Sequence, residues 1–445
     1  MFSWLKSSKK QVGRTPKRRR TLRLEGLENR SLLAGVVDVS VLGGMLYLQG
    51  DGLSNGVSVV GTGIPGEFAV LGFDNVVGVG TGPDTSAPTL LRKGSEPLTD
   101  AILVTGVTSI YANLGNGNDQ FVVKADPEPA PVGGPPRSAG NIRGRLLSNG
   151  GFIPVEYSTT LLNEYAANTF ATPVAAPPAG SATALAGSIT VLAGNGNDAV
   201  ALLVTTPSVI SVDTGSGNDY VVVESSSTAN LAINTGATDT ATQGSDRVRV
   251  RGTTITAALG VNTYGGNDFV DVISTTVPTI AINTGENGGT RPVDLAGNFD
   301  EVVRINVVTS QTVAINTNGG DDLVQVLNSP LLGSVAANTG DGDDAIQVIA
   351  VAIAQSLTLT SGAGADIIQI VAATVGGNAF IDTGFGEDLL QMVAVNVLYS
   401  LSVLLGDGND TAQLTTVSAG YGYVYGQTGT DTFVDGGTTG IVFVQ

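Results

Sequence analysis

Four short phrases decide the fold: G-D-G-D-D at 340–344, G-A-G-A-D at 362–366, G-F-G-E-D at 384–388 and G-D-G-N-D at 406–410. Their closing aspartates, Asp344, Asp366, Asp388 and Asp410, follow one another at a constant 22 residues. A fixed interval of this size marks a repeat architecture in which each unit is one supersecondary element. Two positions after each aspartate, and again four after it, stands an aliphatic residue: Val324 and Val326, Ile346 and Val348, Ile368 and Ile370, Leu390 and Met392. A matching pair precedes each first glycine, as Val335 and Ala337, Leu357 and Leu359, Ala379 and Ile381, Leu401 and Val403. Alternation of this kind means strands with one apolar face. A coil of about 22 residues cannot bury that face alone, so the coils must stack. The expected fold is all-β, a parallel β-helix. Its expected hand is right, because parallel crossovers are overwhelmingly so.

Moving outward from this stretch, the same corner returns in both directions. Upstream it reads G-N-G-N-D ending at Asp119 and at Asp198, G-S-G-N-D at Asp219, Q-G-S-D at Asp246, G-G-N-D at Asp268 and G-G-D-D at Asp322. Downstream it reads G-T-D at Asp431. Either Asp300 or Glu301 fills the motif position in a coil expanded by a Gly-rich loop, and Glu301 fits better because it puts Val303 and Ile305 inward and Arg304 outward. Gln325, Gln347, Gln369, Gln391 and Gln413 recur three positions after the aspartate, and an outward column of amides should bond from coil to coil. Asn234, Asn283, Asn316 and Asn338 precede the corner and read as turn-closing amides.

The chain divides into four regions. Residues 1–35 form a basic segment, 36–125 an N-terminal β cap with the first coils, 126–186 a Pro- and Ala-rich insertion, and 187–445 the repeats. The formal charge of −18 conceals opposite regions, since ten basic residues fall within the first 30 and none follows Arg304. A body so acidic repels nucleic acid and anionic lipid. Cys and His are absent, which removes disulfides, ordinary zinc sites and His-dependent catalysis. The apolar run Leu389–Leu405 is interrupted by Gln391, Asn396, Ser400 and Ser402, and reads as strand, turn and strand, not as a membrane span.

Two resemblances bear on function. The phrase L-R-L-E-G-L-E-N-R-S-L-L-A-G at 22–35 resembles the LEPR-XLL type of N-terminal motif of planctomycete exported proteins, with Gly26 or Asn29 where that motif has proline. It implies export to the cell surface or the extracellular space. The corner resembles the RTX nonapeptide, whose loop carbonyls and aspartate bind calcium, although RTX units repeat every nine residues. That resemblance implies calcium at Asp119, Asp198, Asp219, Asp268, Asp322, Asp341, Asp343, Asp344, Asp366, Glu387, Asp388, Asp407 and Asp410. The bland alternative is that each aspartate caps its own turn and stays hydrated.

Together these features predict an exported, non-catalytic structural or adhesive rod, monomeric, with an extracellular polysaccharide or a surface protein as partner. The rival is a carbohydrate-active enzyme, for which the basic residues Arg247, Arg249, Arg251, Arg291 and Arg304 are the candidate cluster in the stack.

Overall fold

The computed structural model describes residues 35–73, 89–126, 182–236, 244–285, 300–331 and 333–444. The basic head, most of the Pro- and Ala-rich insertion, Arg291 and the loop around it lie outside the described residues. Within them there is no helix, and thirty-four strands belong to one continuous, mostly parallel sheet wound as a solenoid. No helix among them is long and apolar enough to cross a membrane.

A typical turn of the solenoid begins after the motif aspartate. Leu323–Leu327 forms the first face, Pro330–Leu331 a short bridging strand, and Ser334–Asp341 the second face, which leads into the next Gly-rich corner. Each strand pairs in parallel with its equivalent in the following turn: Gln325 lies beside Gln347, Leu331 beside Ile353 and Val335 beside Leu357. The register keeps identical positions stacked, so the alternate aliphatic residues form ladders. Val324, Ile346, Ile368 and Leu390 are fully buried, as are Val326, Val348, Ile370 and Met392. The core extends without interruption from Val37 to Val424.

The N-terminal end is closed differently. Val36–Leu42 and Met45–Gln49 make an antiparallel hairpin, and Met45–Gln49 then pairs in parallel with Ser109–Asn113 as part of the first turn. Phe68–Gly72 lies antiparallel to both Gly56–Gly61 and Ala101–Val104, forming a small second cluster of Val60, Ala69, Leu71 and Phe73 with Val122 and Ala201. Antiparallel strands with bulky side chains block the end of the parallel stack, where an open coil would present a bare edge.

Two backbone devices turn the chain. At the Gly-rich corner the turns approach so closely that a Cβ on Gly364 would sit 1.9 Å from the carbonyl oxygen of Gly342, and its φ of 143° is in any case a glycine conformation. At the corner after the first face, a left-handed residue recurs and is glycine only at Gly252, with φ of 56°, among the described turns: Ser225, Ser274, Val307, Asn328, Ala350, Ala372, Ala394 and Thr416 all have φ between 46° and 55°. Only Gly252 and Asn328 are residue types that announce a left-handed bend; the Ser, Thr, Val and Ala positions are not.

Candidate functional site: the carboxylate ladder

The corner phrase separates into two columns that face opposite ways. Asp119, Asp198, Asp219, Asp268, Asp322, Asp344, Asp366, Asp388 and Asp410 point into the solenoid, none of them more than 3% exposed. Asp341, Asp343, Glu387 and Asp407 are exposed on the outside of the corner. The RTX resemblance implies one ion-binding set of all thirteen; the structure brings the first nine together in a buried file and leaves the other four facing water.

The inner column is tied together by a repeated hydrogen bond. The backbone N–H of Asp322 donates to Oδ1 of Asp344 at 2.8 Å, that of Asp344 to Asp366 at 2.8 Å, and that of Asp366 to Asp388 at 2.9 Å. Among the described residues, eleven bonds of this form run from Asn55 to Asp431, with Asp246 and Glu301 as further members. The aspartate therefore caps the corner of the preceding turn, one coil away, and not its own. Asn55 opens the ladder at the N-terminal end: its N–H reaches Oδ1 of Asp119 at 2.6 Å, while its amide nitrogen donates to the carbonyls of Leu53 and Leu114.

The outer column works in the opposite sense. Oδ1 of Asp321 accepts the N–H of Asp343, and Oδ1 of Asp343 accepts that of Ala365. Asn118 and Asn197 do the same for Asn197 and Asn218. An amide oxygen serves as well as a carboxylate oxygen in this role, which explains why Asn and Asp interchange at the fourth position of the motif.

Burial leaves the second oxygen of the inner carboxyls in an unusual state. Oδ2 of Asp119, Asp198, Asp219, Asp344, Asp366, Asp388 and Asp410 is buried and has no hydrogen-bond partner. The hydroxyls beside this column are shared: Thr339 donates to the carbonyl of Ser361 at 3.2 Å and Ser361 to that of Thr383 at 3.0 Å, and Thr339, Ser361 and Thr383 also stand beside Asp344, Asp366 and Asp388, where they oppose the effect of burial in part. A lone buried carboxylate is expensive, and the group responds by holding its proton. Burial pushes Asp344 up to about 8, with the neighbouring Asp322 and Asp366 charges adding to the rise. Burial likewise raises Asp219 to about 9, Asp119 to about 8, Asp366 to about 7 and Asp388 to about 6. Glu301 and Asp322, in adjacent turns, are both raised by burial. The backbone N–H bond opposes the rise in each of Asp344, Asp366 and Asp388 without cancelling it.

Calcium takes six to eight oxygens. Each inner aspartate has one oxygen already holding an N–H, and corner carbonyls of the kind that bind calcium in RTX loops are engaged between turns, as when Gly342 N–H donates to Ala363 and Gly364 N–H to Phe385. Among the described residues no group of three or more acidic side chains is placed to hold a metal ion. Beyond the capping bond, each inner carboxyl keeps one further oxygen per turn.

The first face carries a second polar arrangement. Asp271 is wholly buried on the outer side of that face and lies in register between Arg249 in the turn before and Arg304 in the turn after. Arg304 meets it with two bonds, Nε to Oδ1 at 2.9 Å and Nη2 to Oδ2 at 2.8 Å, and Arg249 Nε reaches Oδ2 at 3.2 Å. The Arg304 guanidinium also stands 5.8 Å from the Phe269 ring centroid. The two arginines thus neutralise one carboxylate. Further along the same column the side chains become Gln325, Gln347, Gln369, Gln391 and Gln413, with amide bonds of 2.8 Å from Gln325 to Gln347 and 2.7 Å from Gln369 to Gln391. Asp271 escapes a reading of the sequence because its role depends on residues 22 and 33 positions away; the outward arginines at equivalent positions are the signal that points to it.

A scan against protein-family models found no match, and searches of the curated proteins and of the solved structures found none either.

Proposed function

We propose that this chain is an exported, non-catalytic structural or adhesive rod of a cell surface or extracellular matrix, a right-handed parallel β-helix with coils of about 22 residues that acts as a monomer. The observation that carries the reading is where the polar side chains are spent. The inner carboxyls are tied coil to coil to backbone N–H groups, and of the arginines in the stack Arg249 and Arg304 close on Asp271 while Arg251 faces Glu224 at 3.9 Å. Reach and regularity are what such a stack provides: at about 4.8 Å per turn, ten turns extend about 48 Å. The parallel register, with Gln325 beside Gln347 and Gln369 beside Gln391, supports the coil length. The export-like head supports the location.

Calcium enters this proposal as a stabiliser at the outer acids, where Asp341 and Asp343 beside the half-buried Asp321, and separately Glu387 and Asp407, turn toward water. It is tested by thermal melting with millimolar calcium and with chelator: a raised midpoint supports it, and an unchanged one removes calcium from the account.

The rod reading is tested by expressing the full chain in a Gram-negative host with a surface-fractionation readout, and by imaging the purified protein by electron microscopy. Rods in the surface or medium fraction, with no release of reducing ends or unsaturated products from a polysaccharide panel, are expected. Depolymerisation of any member of that panel would overturn the non-catalytic assignment.

A further inference from the structure

The outer side of the second face carries a shallow trough that none of the ladders uses. Its floor is made of small residues in register, Gly260, Ala281, Ala314 and Ala336, in four successive turns. The three alanines are exposed. One bank is the amide column of Asn262, Asn283, Asn316 and Asn338, and the trough continues to Thr358 and Thr360 in the fifth turn. The trough is open to solvent and has a volume of about 320 Å³. Five turns at about 4.8 Å make a channel about 19 Å long.

The geometry points to this trough as a binding site for a neutral polysaccharide chain; the inference rests on the adhesive reading above and gives it a ligand class. Three observations carry it. First, no ionisable side chain is found among the described residues that line the trough, although the chain carries a formal charge of −18. An anionic polymer would be repelled by the surrounding body, and a cation would find better sites at the acidic corners. Second, the bank carries one amide per turn, of which Asn316 spends both N–H groups on Asn283 and Asn318 while its neighbours at the two ends keep donors toward the trough. Asn262 donates one N–H to Asn234 and Asn338 donates one to Asn316, and each amide nitrogen has a second N–H to offer a ligand hydroxyl. Third, the floor column does not stay small. In register beyond Thr358 come Phe380, Ser402 and Tyr423, and the Tyr423 ring packs edge-on against Tyr425 at 4.7 Å. Phe380 is 36% exposed, so an aromatic ring stands where the trough ends, suited to stacking on the C–H face of a sugar.

An extended peptide fits less well. Strand addition requires a free sheet edge, whereas the strands that floor the trough, Thr279–Asn283, Thr312–Asn316 and Ser334–Asp341, are paired on both sides.

The test uses the full chain in isothermal titration and affinity electrophoresis against neutral glucan, mannan and galactan hexasaccharides, with oligogalacturonate as the acidic control. Binding of at least one neutral oligomer and none of the oligogalacturonate is expected. Ala314→Arg fills the middle of the floor with a solvent-facing side chain and should weaken binding at least tenfold with an unchanged melting midpoint. Phe380→Ala, at the far end, should weaken it several-fold. Failure of every neutral oligomer to bind, equal binding of oligogalacturonate, or indifference to both substitutions would overturn the site. Concentration-dependent dimerisation abolished by Ala314→Arg in the absence of sugar would reassign the trough to a second copy and overturn it too. Surface location and rod shape are measured independently, so loss of the sugar site would leave the structural reading standing.

Discussion

The backbone N–H of Asp344 donates to Oδ1 of Asp366 in the next turn at 2.8 Å, while Oδ2 of Asp366 is buried without a partner. The first bond closes the corner and the second atom carries the cost. Substitutions at Asp366 separate the two. Asp366→Asn keeps an acceptor for Asp344 N–H and removes the titrating group, so the fold should persist. Asp366→Ala leaves a buried N–H unpaired and should cost about 1–3 kcal/mol. Urea unfolding of both variants against the parent measures the difference, and equal losses would refute the division of roles.

The raised carboxyls fix the direction of the pH response. An unfolded aspartate loses its proton near 3.9. Folded Asp388, Asp366, Asp344 and Asp219 hold theirs to about 6, 7, 8 and 9. Between these limits the folded chain binds more protons than the unfolded one, so stability is greatest below about pH 4 as far as these groups are concerned. It falls as pH rises through 6 to 9. Each group acting in this way contributes a slope of about 1.4 kcal/mol per pH unit. The melting midpoint should therefore be higher at pH 5 than at pH 9, the reverse of ordinary acid denaturation, and Asp366→Asn should make the dependence shallower. A midpoint that rises from pH 5 to pH 9 would contradict the buried, protonated column.

How much of this was legible in the sequence depends on distance along the chain. The 22-residue spacing of Asp344, Asp366, Asp388 and Asp410 sufficed to place Val324, Ile346, Ile368 and Leu390 inward and Gln325, Gln347 and Gln369 in an outward column, because register in a stacked strand follows from period alone. The inward turn of the aspartates did not follow. A polar residue after two glycines reads as a solvated turn, and only the partner N–H in the adjacent turn makes its burial tolerable. One signal was present: the fourth motif position varies among Asn118, Asp321, Ala365 and Glu387, whereas the fifth keeps a carboxyl from Asp119 to Asp431. The cap was expected only as a β region over 36–125, and its antiparallel pairings were not read from the sequence. Its hairpin turn at Gly43 and Gly44 is local, but the pairing of Phe68–Gly72 with Ala101–Val104 is not.

Asp271 holds two arginines on a buried face, and removing one partner from such a group leaves uncompensated charge. Asp271→Ala should cost about 3–5 kcal/mol. Replacing all three members with glutamine, as Arg249→Gln, Asp271→Gln and Arg304→Gln together, extends the existing column of Gln325 and Gln347 by three turns. The triple variant should be more stable than Asp271→Ala alone. Chemical denaturation of the two proteins decides the matter: a triple variant as weak as the single one would mean that the ion pairs themselves, and not the need to avoid unpaired charge, sustain this part of the face.

Val307 occupies a left-handed bend with φ of 54° and is 50% exposed, so its β-branched side chain is strained and contributes little packing. One turn later the equivalent bend is made by Asn328, whose amide nitrogen donates to Asn306 Oδ1 at 3.4 Å. Left-handed backbone costs an ordinary residue about 1–2 kcal/mol and asparagine less. Val307→Asn should accordingly stabilise the rod, by about 0.5–1 kcal/mol, without touching the core. The opposite change at the other corner, Gly364→Ala, drives a methyl group against the Gly342 carbonyl oxygen in a conformation closed to alanine, and should destabilise by several times that amount. Thermal melts of the pair provide an internal control, because both residues sit at corners and only the direction of backbone strain differs. Stabilisation by Gly364→Ala, or loss of stability in Val307→Asn, would show that the turns are not packed at the separation their glycines imply.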